Sequence, residues 1–115
     1  MSEIVYKICQ REAWARAVEA GVFSGASGDL ADGYIHLSSA GQAAETAAKH
    51  FAGRDDLLLI AVDAGRLEHD LKWEPSRGGA LFPHLYGSLA MNAVLSAAPL
   101  PLGPGGAHVF PWSAA

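Results

Sequence analysis

Two short stretches of the chain hold chemically competent residues at the spacing of a single strand face. In Asp32-Gly33-Tyr34-Ile35-His36-Leu37-Ser38, Tyr34, His36 and Ser38 alternate with Ile35 and Leu37. Alternate side chains of a strand share a face, so the polar trio looks into a groove while the apolar pair anchors in a core. Phe82-Pro83-His84-Leu85-Tyr86-Gly87 repeats the plan, with Phe82, His84 and Tyr86 on one face and Leu81 and Leu85 opposite. His84 beside the Tyr86 phenol is a general acid/base candidate with a neighbouring donor. Glu74 stands one connection earlier, on the polar face of Leu71-Lys72-Trp73-Glu74. If those strands pair, its carboxylate orients His84 or acts as a base itself. His36 and Ser38 run into a helix start at Ser39, whose unpaired amides and partial positive charge suit a phosphate or carboxylate.

Plainer readings stand beside these. His36 also reads as a half-buried histidine on a backbone carbonyl, with Ser38 and Ser39 capping the helix. Phe82 and Tyr86 read as core aromatics with His84 a satisfied polar group among them, and Trp73 reads as core rather than a stacking platform. His36, His84 and Glu74 resemble a two-histidine, one-carboxylate metal set. No HExxH or other short-range ligand spacing supports it, so no metal ligand is assigned. There is no GxSxG elbow and no GxxxxGK[ST] loop. His50 and His69 are expected to be solvated, His108 receives no role, and Cys9 reads as a buried core residue.

The elements that position these residues spell an α+β chain. Ile4 to Cys9 is β-branched and aromatic, a first buried strand. Arg11 to Ala20 is a helix with Trp14, Ala17 and Val18 as its apolar stripe and Gly21 beyond its end. Ser24-Gly25-Ala26-Ser27-Gly28-Asp29 reads as a small-residue loop, slack sooner than a cover over a site. Ser39 with Gln42 forms a capping-box pattern opening a helix to about Phe51. Ala43, Ala44, Ala47, Ala48 and Phe51 give it a small-residue packing face. Leu57 to Val62 is a continuous apolar run, as for a central strand covered on both sides. Leu71 to Glu74, Leu81 to Tyr86 and Ala93 to Ser96 complete the strands, and a Pro/Gly-rich tail follows from Pro101. Helices come early and antiparallel strands late.

At 115 residues the chain reads as a single domain, 1–115. A net charge of −4 argues against extended binding to nucleic acid, which needs a basic stripe, and leaves a small-molecule ligand as the expected partner. One cysteine excludes an internal disulfide and fits a reducing, cytoplasmic setting. No apolar run has the length of a membrane span, and Met1-Ser2-Glu3 lacks the plan of a signal peptide. A homodimer is compatible with so small a domain, although nothing in the sequence names its surface.

The Tyr6-Lys7-Ile8 strand, Trp14, Gly21, the Asp-Gly-Tyr-Ile-His-Leu-Ser block, Gln42, Asp56-Leu57-Leu58-Leu59, Lys72-Trp73-Glu74 and Phe-Pro-His-Leu-Tyr-Gly together resemble the DUF952 family of small bacterial proteins. The resemblance runs to about Val94. It implies an ADP-ribosyltransferase-like fold, a split, mostly antiparallel sheet with two main flanking helices around a cleft. The layout is also similar to the catalytic half of RNA 2′-phosphotransferases, on which analogy His36 faces a nicotinamide dinucleotide. Those relatives carry a histidine-glycine-threonine motif where this chain has Tyr6-Lys7-Ile8, so NAD is the implied ligand without its usual first-strand grip and the cofactor stays open.

The expectation is thus a cleft that binds or processes a small nucleotide such as NAD or an ADP-ribosyl compound, by transfer or hydrolysis if it is an enzyme. His84, Glu74 and Tyr86 would be catalytic, and His36, Ser38 and Tyr34 would bind substrate. His84 or Glu74 would be the base, with His36 and Tyr86 holding phosphate or polarising the leaving group. The alternative is a non-catalytic ligand-binding module that has lost NAD transfer chemistry, and a metal-dependent hydrolase is a minor third reading.

Overall fold

The computed structural model describes residues 3–67 and 69–112, so the expectation about Met1-Ser2 lies outside them. Strand β1 (Ile4–Gln10) leads into helix α1 (Arg11–Ala20) and the short strand β2 (Val22–Phe23). Helix α2 (Ser27–Asp32), strand β3 (Ile35–His36) and helix α3 (Ala40–His50) follow. The rest is β4 (Leu57–Asp63), β5 (Leu71–Pro75), β6 (Leu81–Leu85), β7 (Leu89–Ala90) and β8 (Val94–Pro99), with a 3₁₀ turn in every connection but the one from β6 to β7. The class is α+β, and every strand pairing is antiparallel.

The sheet is split. One half has the order β1-β4-β8, the other β3-β6-β5, and β2 with β7 forms a small ribbon. Apolar β4 takes the central place in its half that its continuous run calls for. The halves touch where Tyr6 of β1 bridges Ser38, just beyond β3, with N–H to O distances of 2.7 and 2.8 Å. Past that bridge the two halves diverge, and a cleft opens along the free edge of β1.

Two apolar clusters cover the faces of β1. Val5 and Cys9 pack with Trp14, Phe23, Ile35 and Leu85, whereas Ile8 packs with Ala43, Ala47, Leu57 and Phe110. Lys7 alternates onto the Val5–Cys9 side and is itself buried, so its charge needs a buried partner. α1 seals its side with Trp14 and Ala17, and ends at Gly21, whose φ of 84° is open to glycine at little cost. Val18, expected in that stripe, is exposed. α3 buries Ala43 and Ala47 but leaves Ala44 and Ala48 outside, a narrower face than the sequence pattern suggests. At its start the Ser39 N–H donates to Gln42 Oε1 at 3.0 Å, and Gln42 Nε2 donates onward to the Leu81 carbonyl at 2.7 Å, tying α3 to β6.

Three expectations need correction. The Ser24–Asp29 segment is not a slack loop: from Ser27 it is helix α2, and Asp29 is buried. A six-residue helix is too short to stand on propensity, so its side-chain attachments hold it. Trp73 is half exposed on edge strand β5 and belongs to neither core cluster. His108 has a structural task, bonding through Nε2 to the Arg54 carbonyl at 2.7 Å and so fastening the tail beside α3.

Candidate functional site

β5 and β6 pair with Glu74 opposite Phe82, which leaves Glu74, His84 and Tyr86 on one face. Glu74 Oε1 accepts from His84 Nδ1 at 2.8 Å and from the Tyr86 hydroxyl at 2.7 Å. Those two hydrogen bonds, Tyr86 first, hold the Glu74 carboxyl below its usual range, and the same contact pushes the Tyr86 phenol up to about 12. An ionised carboxylate only accepts, so Nδ1 of His84 carries a proton, and in the neutral ring the lone pair is on Nε2. His84 is 5% exposed, yet among the described residues Nε2 meets no protein partner and no buried side-chain nitrogen is left unsatisfied. Nε2 is therefore the ring nitrogen left open, on a residue that lines the cavity.

That cavity occupies the cleft and measures about 450 Å³. Its walls are Tyr6 to Gln10 of β1, the inner side of α2, His36 to Ser38, Thr46 and His50 of α3, and Phe82 with His84 of β6. β1 contributes more than side chains. Tyr6 spends both backbone groups on Ser38, facing away from β4, and in an antiparallel ladder the residue two further on faces the same way. Ile8 thus turns its N–H and C=O to the cleft, where no backbone or side-chain partner meets them among the described residues.

His36 is placed differently from its expected role. Its Nδ1 lies 2.6 Å from Asp29 Oδ1 and its Nε2 lies 2.8 Å from Asp32 Oδ2, both carboxylates of α2. An acceptor on each nitrogen favours the imidazolium, and the Asp29 hydrogen bond raises its pKa against the opposing effect of burial. Neither nitrogen is left for a ligand. Asp29 is the hub: besides His36 it accepts from Lys7 Nζ at 2.9 Å, from the Ala26 amide at 2.8 Å and from the His36 amide at 3.0 Å. Burial alone would raise its carboxyl, but the His36 bond and the Lys7 charge outweigh burial and hold it far below the carboxylate range. Lys7 Nζ also donates to the His36 carbonyl at 3.1 Å.

Of the remaining expected residues, Ser38 lines the cavity with its Oγ 3.1 Å from Thr46 Oγ1. Tyr34 lies outside the cavity lining and stacks on His84 at 4.1 Å between ring centroids, with Tyr86 5.2 Å away. The His36 and His84 rings are 6.0 Å apart. Among the described residues no three His, Cys, Asp or Glu side chains are grouped to hold a metal ion. The start of α3 is also not the anion seat expected of it. Its cavity-lining residues, Thr46 and His50, belong to its later turns, and the Ser39 amide is already taken by Gln42.

A family model described as "Protein of unknown function (DUF952)" matches residues 8–97. The chain belongs to the DUF952 family. It is similar to the crystal structure of protein CC0527 from Caulobacter crescentus, with 51% identity, a TM-score of 0.88, and 92% of this chain and 93% of that chain covered. The solution NMR structure of CC0527 gives 52% identity and a TM-score of 0.82 over 90% of each chain. Among curated proteins none matches.

The residues of this DUF952 cleft do not fit a whole dinucleotide. Lys7 and His36 are neutralised by Asp29 and Asp32, and Arg54 at the rim is held by Asp56 through Nε at 3.2 Å and Nη2 at 3.1 Å. Among the described lining residues only His50 is a potential cation without a carboxylate partner, too little to hold a pyrophosphate. Tyr6, Phe51 and Phe82 offer ring surfaces, and Ile8 a donor and acceptor side by side. Lys7 and Asp29 are cavity-lining residues the sequence reading did not single out. The one available signal was a lysine set inside an otherwise apolar strand.

Proposed function

We propose that the cleft binds a small ligand without an anionic group, a planar ring with an amide or amidine edge such as the nucleoside or nicotinamide end of a nucleotide, and that His84 is the base acting on it. The supporting observation is the Glu74–His84 Nδ1 hydrogen bond, which leaves Nε2 without a protein partner among the described residues on a residue that lines the same cavity as Ile8. A ring between Tyr6 and Phe82 would meet Ile8 with its amide or amidine edge, donor to acceptor and acceptor to donor. His84 would then take a proton from a water or hydroxyl, handing its Nδ1–H more firmly to Glu74 as the imidazolium forms. Any phosphates would lie at the rim, beside His50 and Arg54.

Thermal denaturation with nicotinamide, adenosine, nicotinamide riboside, AMP, ADP-ribose and NAD tests the reading. A ligand at 100 times its Kd adds about 2.7 kcal/mol of stability. Stabilisation by the nucleosides, with no gain from added phosphates, is expected. No shift with any of the six sinks the reading.

The paired state of Lys7, His36 and Arg54 favours a second reading, a binding module without transfer chemistry. It predicts that His84→Ala binds the same ligands and that the native protein leaves them unchanged on prolonged incubation. The first reading predicts turnover that His84→Ala abolishes.

A further inference from the structure

We propose that His36 is a proton-controlled latch: its imidazolium clips the C-terminal end of α2 to β3 through Asp32, and its neutral form releases that end and loosens the cavity wall.

The geometry leads there from a count of protons. Two carboxylates, Asp29 at 2.6 Å and Asp32 at 2.8 Å, sit on the two nitrogens of one imidazole. The imidazolium has an N–H for each. A neutral imidazole has one N–H and one lone pair, so one carboxylate must then face a lone pair, acceptor against acceptor. Which one loses is settled by what else holds it. Asp29 is 3% exposed and is fixed by Lys7 and by the amides of Ala26 and His36, so it keeps the proton on Nδ1. Asp32 is 54% exposed, and His36 is its sole side-chain partner among the described residues. Its carboxylate is the one expelled.

The segment can answer. Asp32 is the last residue of α2, and Gly33, with φ at 86°, follows as a pivot that a side chain would stiffen. Asp29 keeps the first part of the helix in place, so the movement is confined to the end from Leu30 to Gly33. Both Asp29 and Asp32 line the cavity, so freeing Asp32 opens its wall and leaves a carboxylate there without its counter-charge. The charged and titratable groups around His36 all enter the balance. These are Asp29 and Asp32 of α2, Lys7 of β1, Tyr34 in ring contact at 4.7 Å, and His84 of β6 at 6.0 Å with Glu74 behind it. The Asp29 hydrogen bond is the largest effect, burial and the Lys7 charge oppose it, and Asp32 adds to it. The net direction is a raised His36 pKa, so the latch closes below that value and opens above it. The latch stands whether or not the cavity turns over a ligand.

Amide hydrogen exchange measured by NMR on the full chain tests it. The reporter is the Gly33 amide, which donates to the Asp29 carbonyl at 2.9 Å and closes the end of α2. The Phe51 amide, bonded to Ala47 at the end of α3, is the internal control. After correction for intrinsic pH dependence, Gly33 should exchange on the order of tenfold faster once His36, followed by its own ring resonances, is neutral, about the effect of losing one charge-assisted hydrogen bond. Phe51 should not change. In Asp32→Asn the side-chain amide can donate to the neutral Nε2 while Nδ1–H stays on Asp29, so the step at Gly33 should vanish and protection should persist at alkaline pH. Gly33 protection that ignores the His36 titration overturns the proposal, as does an undiminished step in Asp32→Asn. The native profile alone decides the first point without any variant.

Discussion

His36 and His84 look alike in sequence, each on a strand with a polar neighbour two residues on, yet their surroundings give them opposite states. Glu74 takes one nitrogen of His84 and leaves the other free, whereas Asp29 and Asp32 take both nitrogens of His36. One carboxylate therefore leaves His84 a nitrogen open to a ligand, whereas two carboxylates favour the cationic form of His36. The same hub residue sets a stability prediction. Asp29→Asn keeps the shape but leaves Lys7, 6% exposed, as a buried cation with no counter-charge. Removing one partner of a buried ion pair costs about 3–5 kcal/mol, and urea denaturation at neutral pH should show a loss of that order. A milder result, about 1 kcal/mol, would mean that the His36 carbonyl and water already compensate Lys7. Cys9 gives the second prediction at this scale. Burial pushes its thiol up to about 11, with Lys7 opposing and Asp29 reinforcing the rise. The folded protein should resist thiol-alkylating reagents at pH 8 and react fully in urea, and rapid labelling of native protein would contradict that account.

At the scale of elements, what was legible followed from periodicity. β1, α1, α3, β4, β5 and β6 all announce themselves by a 2- or 3.6-residue pattern, and the pairing of β5 with β6 brings Glu74 to His84 as their shared polar face suggests. α2 was not legible, because Ser-Gly-Asp-Leu-Ala-Asp has neither the length nor the residues of a helix. It exists because Asp29 reaches Lys7, 22 positions back in the chain, and a pairing of that range leaves no mark on the local sequence. β8 runs on to Pro99, past the expected Ser96, because backbone pairing with β4 carries Ala97 and Ala98, which have little strand preference of their own. The role of His36 was misread for the same reason as α2, since its partners lie on that unseen helix. Gln42 shows an element joint that both readings share. It accepts from Ser39 and donates to Leu81, so Gln42→Ala removes a helix cap and a strand tie together. A loss of about 1–2 kcal/mol is expected in urea denaturation, with Gln42→Glu recovering the cap but not the tie. Equal losses in both variants would place the whole effect on the Leu81 contact.

For the whole molecule, these charges imply a stability profile with two shoulders. Asp29 is lowered from 3.8, so its contribution is complete above that value and disappears as pH falls through the lower folded one. His36 is raised from 6.5, so its contribution is complete below 6.5 and is lost as pH rises through the folded value. Both act together only between 3.8 and 6.5, and there the fold should be most stable. Further up, Cys9 adds a second alkaline loss, since its thiol is raised from 9.0 to about 11 and its ionisation is penalised by burial. The first alkaline loss is modest because the His36 side chain is 39% exposed and solvent screens it. Urea midpoints measured from pH 3 to pH 10 should therefore fall on both sides of a mildly acidic plateau. His36→Asn identifies the neutral limb: it should lower the plateau and flatten the profile between pH 6.5 and pH 9, while the acid limb stays with Asp29 and Lys7. A native profile that climbs through neutrality would contradict the charge assignment of His36, and with it the electrostatic frame that joins α2 to the two halves of the sheet.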